Sequence, residues 1–214
     1  SAKAIRLNIP QSIDELFAAT QEAVKANGVT NGYIRLCVTR GAGTLGLNPF
    51  VCPNPNTFII VDAITLYPAE LYENGLSVIT SSVMRNHPAA LSPRIKSLNY
   101  LNNILAKIEA IDAGVLEAIM LNVNGFVAAG ILEGVTMLTV IDLAEAAGIP
   151  VARQDLSKHD LYVADEMFLT GTAAEVIPVT KVDNRVIGNG EPGPVSRQLV
   201  QAFRTLVAQN APED

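Results

Sequence analysis

Between residues 12 and 39 the apolar side chains change their spacing from helical to alternating. That switch, more than any single residue, limits the folds open to this chain. Ser12 followed by Glu15 has the form of a capping box, Leu16, Phe17, Ala23 and Val24 recur at helical spacing, and Gly28 supplies a stop, so a helix is expected over 12–27. From Tyr33 the period is two. Ile34, Leu36 and Val38 fall on one face and Tyr33, Arg35, Cys37 and Thr39 on the other, which describes a strand with one polar, usable face. Glycines at 41, 43 and 46 and prolines at 49, 53 and 55 then mark a long loop of the kind that covers a site or an interface.

Further along, strands are expected over 57–63 and 76–83. A helix is expected within 98–113, where Leu101, Ile104, Leu105 and Ile108 share a face and Gly114 ends it. A strand over 117–121 leads to Asn124-Gly125, a strong hairpin turn signal, with a short return arm at 126–129. A helix over 135–147 stops at Gly148, and strands are expected at 149–155, 166–170 and 175–181. Asp183-Asn184 forms a turn, and Pro194 opens a final helix at its tolerated first position. Helices and strands alternate without a regular βαβ beat, and there is no internal repeat, GxGxxG or Walker motif, so an α+β arrangement of two domains is expected. The boundary falls near Tyr67 and Pro68, giving a smaller domain over 1–67, a connection over 68–75 and a larger domain over 76–214.

Composition excludes several classes. The 15 Lys and Arg against 21 Asp and Glu give a net charge of −6, which argues against a nucleic-acid partner. With 49% hydrophobic and 17% charged residues the chain can build a core and is not disordered. No apolar run approaches the ~18 residues of a membrane span, and the first residues lack the apolar core of a signal peptide, so a cytoplasmic protein is expected. Cys37 and Cys52 are not in CxxC spacing, and His87 and His159 belong to no HExxH, so no metal site is expected.

Four features could carry chemistry. Lys96, just before a helix, is either a solvated lysine or an amine with a lowered pKa that acts as a nucleophile. Thr172 and Ala173 lie in a turn of small residues that is either a plain tight turn or a backbone cradle for an anion. Thr136 either caps the helix it begins or holds an anion at that helix's N-terminus. Arg35 beside Tyr33 is either a surface arginine or a bidentate carboxylate partner. Together, a nucleophilic lysine and two backbone anion cradles match what a pyridoxal phosphate enzyme needs.

Four blocks in order, GYIRLCVTRGAGTLGL (32–47), SPRIKSLNYLNNILAKIEA (92–110), ILEGVT (131–136) and LYVADEMFLTGTAAEVIPV (161–179), resemble the class IV (fold-type IV) pyridoxal phosphate-dependent aminotransferases, most closely the branched-chain amino acid aminotransferases. The resemblance runs from Ser1 to about Val207. It implies transamination between leucine, isoleucine or valine and 2-oxoglutarate, with pyridoxal 5'-phosphate held by Lys96 as an aldimine. It also implies cofactor contacts from Tyr100 (the phenolic oxygen), Leu132 (the ring), and Val135, Thr136 and Thr172 (the phosphate). Thr172 and Ala173 are implied to hold the substrate α-carboxylate, while Tyr33 and Arg35 wall the branched side chain or the second carboxylate of glutamate. A homodimer is implied, with the loop at 41–47 reaching the partner's site. D-amino acid transaminase, aminodeoxychorismate lyase and a truncated non-catalytic relative are the other readings of the same fold.

The chain departs from that pattern in two places. The family's N-terminal segment, with an arginine that clamps the phosphate, has no counterpart before Ser1. Between Val127 and Ile131 the chain reads Ala128-Ala129-Gly130, where the family has a glutamate for the pyridine nitrogen and a further strand pair. The parent protein is expected to contain both.

Overall fold

The computed structural model describes residues 1–30, 32–63, 66–128 and 134–209. It separates into two units, Ser1–Thr65 and Leu66–Asp214.

In the first unit, helix α1 (Ile13–Asn27) begins and ends where local chemistry dictates. Ser12 Oγ accepts from the Glu15 N–H at 3.2 Å and Glu15 Oε2 accepts from the Ser12 N–H at 2.7 Å, so each residue satisfies a donor that the helix leaves orphaned. Gly28 closes the helix at φ +62°, a conformation that costs a side-chain-bearing residue more than glycine. Strands β1 (Tyr33–Thr39) and β2 (Asn56–Asp62) pair antiparallel, Leu36 facing Ile59 and Cys37 facing Phe58. The face expected to be polar is thus mixed, because β2 adds Phe58 and Ile60 to Tyr33, Arg35 and Cys37. The long loop contains one 3-10 turn, Pro49–Val51, opened by Asn48 Oδ1 accepting from the Phe50 N–H at 3.0 Å.

The second unit is built on a mixed sheet in the order β4-β3-β6-β5, with β7 also pairing β6. Its strands are β3 (Leu76–Thr80), β4 (Glu117–Ile119), β5 (Met167–Gly171), β6 (Glu175–Val182) and β7 (Arg185–Val186). β3 runs parallel to both β4 and β6, whereas β5 and β7 run antiparallel to β6. The strand expected at 175–181 forms as β6, and Val176 to Val179 are buried on both of its faces. Ile177, Val179 and Val182 join Leu76, Val78, Ile119 and Leu161 in one cluster, while Val176 joins Val140, Ala144 and Leu199 in another. The second cluster belongs to α4 (Val135–Ala146) and α6 (Pro194–Gln209), which pack on each other and on the sheet.

Three elements depart from the sequence expectation, and a fourth, the helix expected within 98–113, forms as expected with its apolar face exposed. Residues 149–155 form no strand: the chain from 151 to 156 is exposed, Pro150 has no N–H to give, and just beyond the segment Leu156 O accepts from the Val127 N–H at 2.7 Å. Helix α5 (Lys158–Val163) has no counterpart in that expectation, although Ser157 and Asp160 form a second capping box there. Helix α2 (Ala69–Asn74) occupies what reads as a connection. Gly75 ends it at φ +84°, where an added Cβ would lie 2.5 Å from Thr180 Cγ2. In α3 (Leu101–Asp112) the apolar stripe Leu101, Ile104, Leu105, Ile108 faces solvent, and Ala106 and Ala110 are buried instead.

Candidate active site

Lys96 lies on the segment between β3 and α3, a stretch without regular secondary structure that contains Pro88 and Pro93. Its side chain is exposed. Tyr100, half-buried, stands at the N-terminal boundary of α3, with its carbonyl accepting from the Ile104 N–H at 2.8 Å. The first arm of the segment is fastened to α3. Glu109 accepts from the Ser81 hydroxyl at 2.6 Å, the Ser82 N–H at 2.8 Å and the Ser82 hydroxyl, and Asn102 Nδ2 donates to Met84 O at 2.8 Å. The hydroxyls of Ser81 and Ser82 hold the Glu109 carboxyl below its usual pKa.

The segment also has a fixed point of departure. Asp183, in the left-handed turn after β6, accepts from the Thr80 N–H at 2.7 Å, the Thr80 hydroxyl at 2.6 Å, the Tyr162 hydroxyl and Lys158 Nζ at 2.9 Å. Burial alone would raise its pKa, but the hydrogen bonds from Thr80, Tyr162 and Lys158 outweigh burial and hold the carboxyl well below the usual range. Sequence reasoning sees Asp183 only as a turn residue and does not find Glu109 or Asp183 as supports, because their partners are 27 and 103 residues away.

Helix α4 begins at Gly134, which has an extended backbone (φ −69°, ψ 144°) and no side chain to cap the first turn. The first backbone bond of that turn runs from the Leu138 N–H to Gly134 O, at 3.1 Å, so the earlier amides have no acceptor within the helix itself. Thr136 is buried at 6% exposure, Val135 is open to solvent, and among the described residues no atom beyond the chain neighbours lies within 4 Å of where a Cβ on Gly134 would sit. Leu132 lies outside the described residues, as do Ala129 and Gly130.

The Thr172, Ala173 and Ala174 turn joins β5 to β6, closed by the Gly171 and Glu175 pair. Thr172 is exposed, Ala173 half-buried and Ala174 buried. Because α4 packs on β5 and its Val140 and Ala144 share a cluster with Val176, one core supports both the helix start and this turn. In the other unit Tyr33 and Arg35 lie two residues apart on one face of β1, the guanidinium carbon 5.9 Å from the ring centroid. A groove of about 640 Å³ between α2, residues 190–192 and α6 contains none of these residues. No group of three or more potential metal ligands occurs among the described residues.

The family model for amino-transferase class IV matches residues 1–130 and 126–182, two stretches that meet where the chain reads Phe126 to Gly130. A Methanocaldococcus jannaschii protein, provisionally assigned as a branched-chain-amino-acid aminotransferase, is 42% identical over 227 aligned positions, covering 96% of this chain and 78% of its own. That alignment is longer than the 214-residue chain, so the relative has positions with no counterpart here. The crystal structure of the Escherichia coli branched-chain amino acid aminotransferase superposes with a TM-score of 0.92 at 34% identity, covering 100% of this chain and 78% of the other. The Thermobaculum terrenum branched-chain amino acid aminotransferase, in its PLP holo-form, gives 0.85 at 31% identity and 97% and 75% coverage. No helix among the described residues is long and apolar enough to cross a membrane.

Proposed function

From the premise that this chain belongs to the class IV aminotransferases, among the branched-chain enzymes, we propose that it exchanges an amino group between leucine, isoleucine or valine and 2-oxoglutarate, using pyridoxal 5'-phosphate joined to Lys96. The observation that carries the cofactor assignment is the start of α4: an uncapped first turn, a glycine that leaves the approach open and a buried threonine. Such a turn offers backbone donors and the positive end of the helix dipole to a phosphate dianion. The donor set fits the group, with amides and a hydroxyl for the phosphate, an amine for the aldehyde and a phenol for the ring oxygen.

When bound, the cofactor supplies an aldehyde that accepts the amino group and a ring that draws electrons from the α-carbon. The chain does the rest. The α4 amides, with Val135 and Thr136, anchor the phosphate, and Thr172 adds a further contact. Leu132 is assigned to the face of the ring. Tyr100 donates a hydrogen bond to the ring's phenolic oxygen. Lys96 Nζ, once neutral, takes the proton from the substrate α-carbon and returns it on the other side of the exchange. Amides of Thr172 and Ala173 hold the α-carboxylate. The face bearing Tyr33 and Arg35 discriminates substrates, its apolar members Phe58 and Ile60 accepting a branched side chain and its guanidinium the second carboxylate of glutamate.

The same proposal includes a cytoplasmic homodimer. Leu45 and Leu47 stand fully exposed on the long loop, and the apolar stripe of α3 lies open, both of which support burial against a second copy. The test is visible absorbance with added pyridoxal 5'-phosphate before and after L-leucine, on protein of verified mass. A cofactor band that leucine bleaches in the wild type, and that is lost with transamination in Lys96→Ala, is the expected result. Transamination by Lys96→Ala overturns the assignment.

A second reading rests on one specific observation. The family match breaks at 126–130, and no Asp or Glu occurs between Glu117 and Glu133 to protonate a ring nitrogen. On that reading the chain takes up cofactor without turnover, and a band that leucine leaves unchanged would identify it.

A further inference from the structure

Arg85 is the most deeply buried cation among the described residues, at 7% exposure. A buried charge normally sits against an opposite one, since leaving water uncompensated is costly. Arg85 does not. Its Nη1 donates to Asn102 Oδ1 at 3.1 Å and Asn103 Oδ1 at 2.9 Å, both neutral amides, and burial pulls its pKa below the usual guanidinium value. The cavity beside it, lined in part by Leu91, Ser92, Ile95 and Ser97, measures about 10 Å³, room for no more than one water and too small for an anionic ligand.

The position of those bonds gives the charge a purpose. Arg85 is also held by its backbone, whose N–H donates to Leu121 O at 2.8 Å beyond β4. The Asn86 N–H reaches the same Asn102 oxygen at 3.1 Å. With its backbone N–H on Leu121 and its guanidinium on α3, Arg85 therefore ties the end of β4 to the first turn of α3, and the chain between Arg85 and that turn is the segment that carries Lys96. Leu91, Ser92, Pro93, Ile95, Ser97 and Asn99, on either side of Lys96, line the cavity beside Arg85. We propose that Arg85 is a positioning residue, a clasp across the base of the Lys96 segment that fixes where the amine stands. The proposal deepens the assignment of Lys96 and rests on it.

Three measurements test it. Borohydride trapping of pyridoxal 5'-phosphate on Lys96, followed by peptide mass, should slow about tenfold or more in Arg85→Met, since a misplacement of about 1 Å can cost 10²-fold. Hydrogen exchange of the cofactor-free protein should accelerate at 92–100 and stay unchanged in β3 and β6. Guanidinium ion at millimolar concentration should restore part of the trapping rate in Arg85→Ala. Should those variants not fold, Asn103→Asp remains decisive: a charged acceptor strengthens the clasp, and exchange at 92–100 should slow. The clasp is overturned by wild-type trapping and exchange in Arg85→Met, or by exchange that rises evenly through the sheet with no guanidinium rescue. Absence of trapping on Lys96 in the wild type overturns the Lys96 assignment instead, while the exchange contrast still decides whether Arg85 holds the segment.

Discussion

The two units of this molecule spend similar kinds of sequence on different ends. Both contain amphipathic helices and strands rich in isoleucine and valine, yet among the described residues of the first unit only Val61 is buried. In the second, Leu76, Val78, Val176, Ile177 and Val182 are all at 1% exposure or less. A two-stranded ribbon with one helix has too little area to close a core, while five strands with helices packed on them have enough. The apolar residues Ile13, Phe17, Leu45, Leu47 and Phe50 of the first unit stay exposed for that reason.

That contrast can be broken most directly by truncation. Ile177→Ala should destabilise the chain by about 2–5 kcal/mol, because a fully buried side chain leaves a cavity, whereas Phe17→Ala should fall within about 0.5 kcal/mol in the monomer. Denaturant unfolding at low protein concentration measures both. A large cost for Phe17→Ala that appears only at high concentration would show the first unit buried in an oligomer.

A smaller effect is expected at Asp183. Its carboxyl is more acidic folded than unfolded, so the stability it contributes is fully present above the unfolded value of about 4 and is lost as pH falls toward the folded one. Asp183→Asn should therefore cost about 1.5–3 kcal/mol at pH 7 and flatten the acid limb of the stability profile. Unchanged stability at pH 7 would show that the network around Thr80 and Tyr162 holds without the charge. The smallest effect belongs to the first unit. Ser12→Ala should remove about 1 kcal/mol of local stability from α1, visible as faster exchange of its first-turn amides with no shift of the main unfolding transition.

Local signals were legible wherever the physics is local. The Ser12 and Glu15 box, Gly28, the Asn122 to Phe126 turn and the Asp183-Asn184 turn each depend on residues within four positions, and each forms where the sequence places it. The strand expected at 149–155 failed for the opposite reason, since a strand depends on pairing with a distant edge that the local sequence does not specify. The apolar period of α3 marked a face correctly but not what would cover it. Lys96, Thr136 and Thr172 each have a plain alternative by residue type and take their roles from the family resemblance, whereas Arg85, Glu109 and Asp183, which brace the segment carrying Lys96, give no sequence signal of that role.

By itself, then, the sequence determined the ends of α1, the turns, the strand at β6 and membership in the class IV aminotransferases. Only the tertiary structure decided that β3 lies between β4 and β6, that α4 starts uncapped over a buried Thr136, and that a buried arginine fastens the Lys96 segment to α3. The division follows the range of the forces. Capping and turn chemistry are settled over a few residues, while strand order, burial and the placing of a charge are settled only when distant segments compete for the same space.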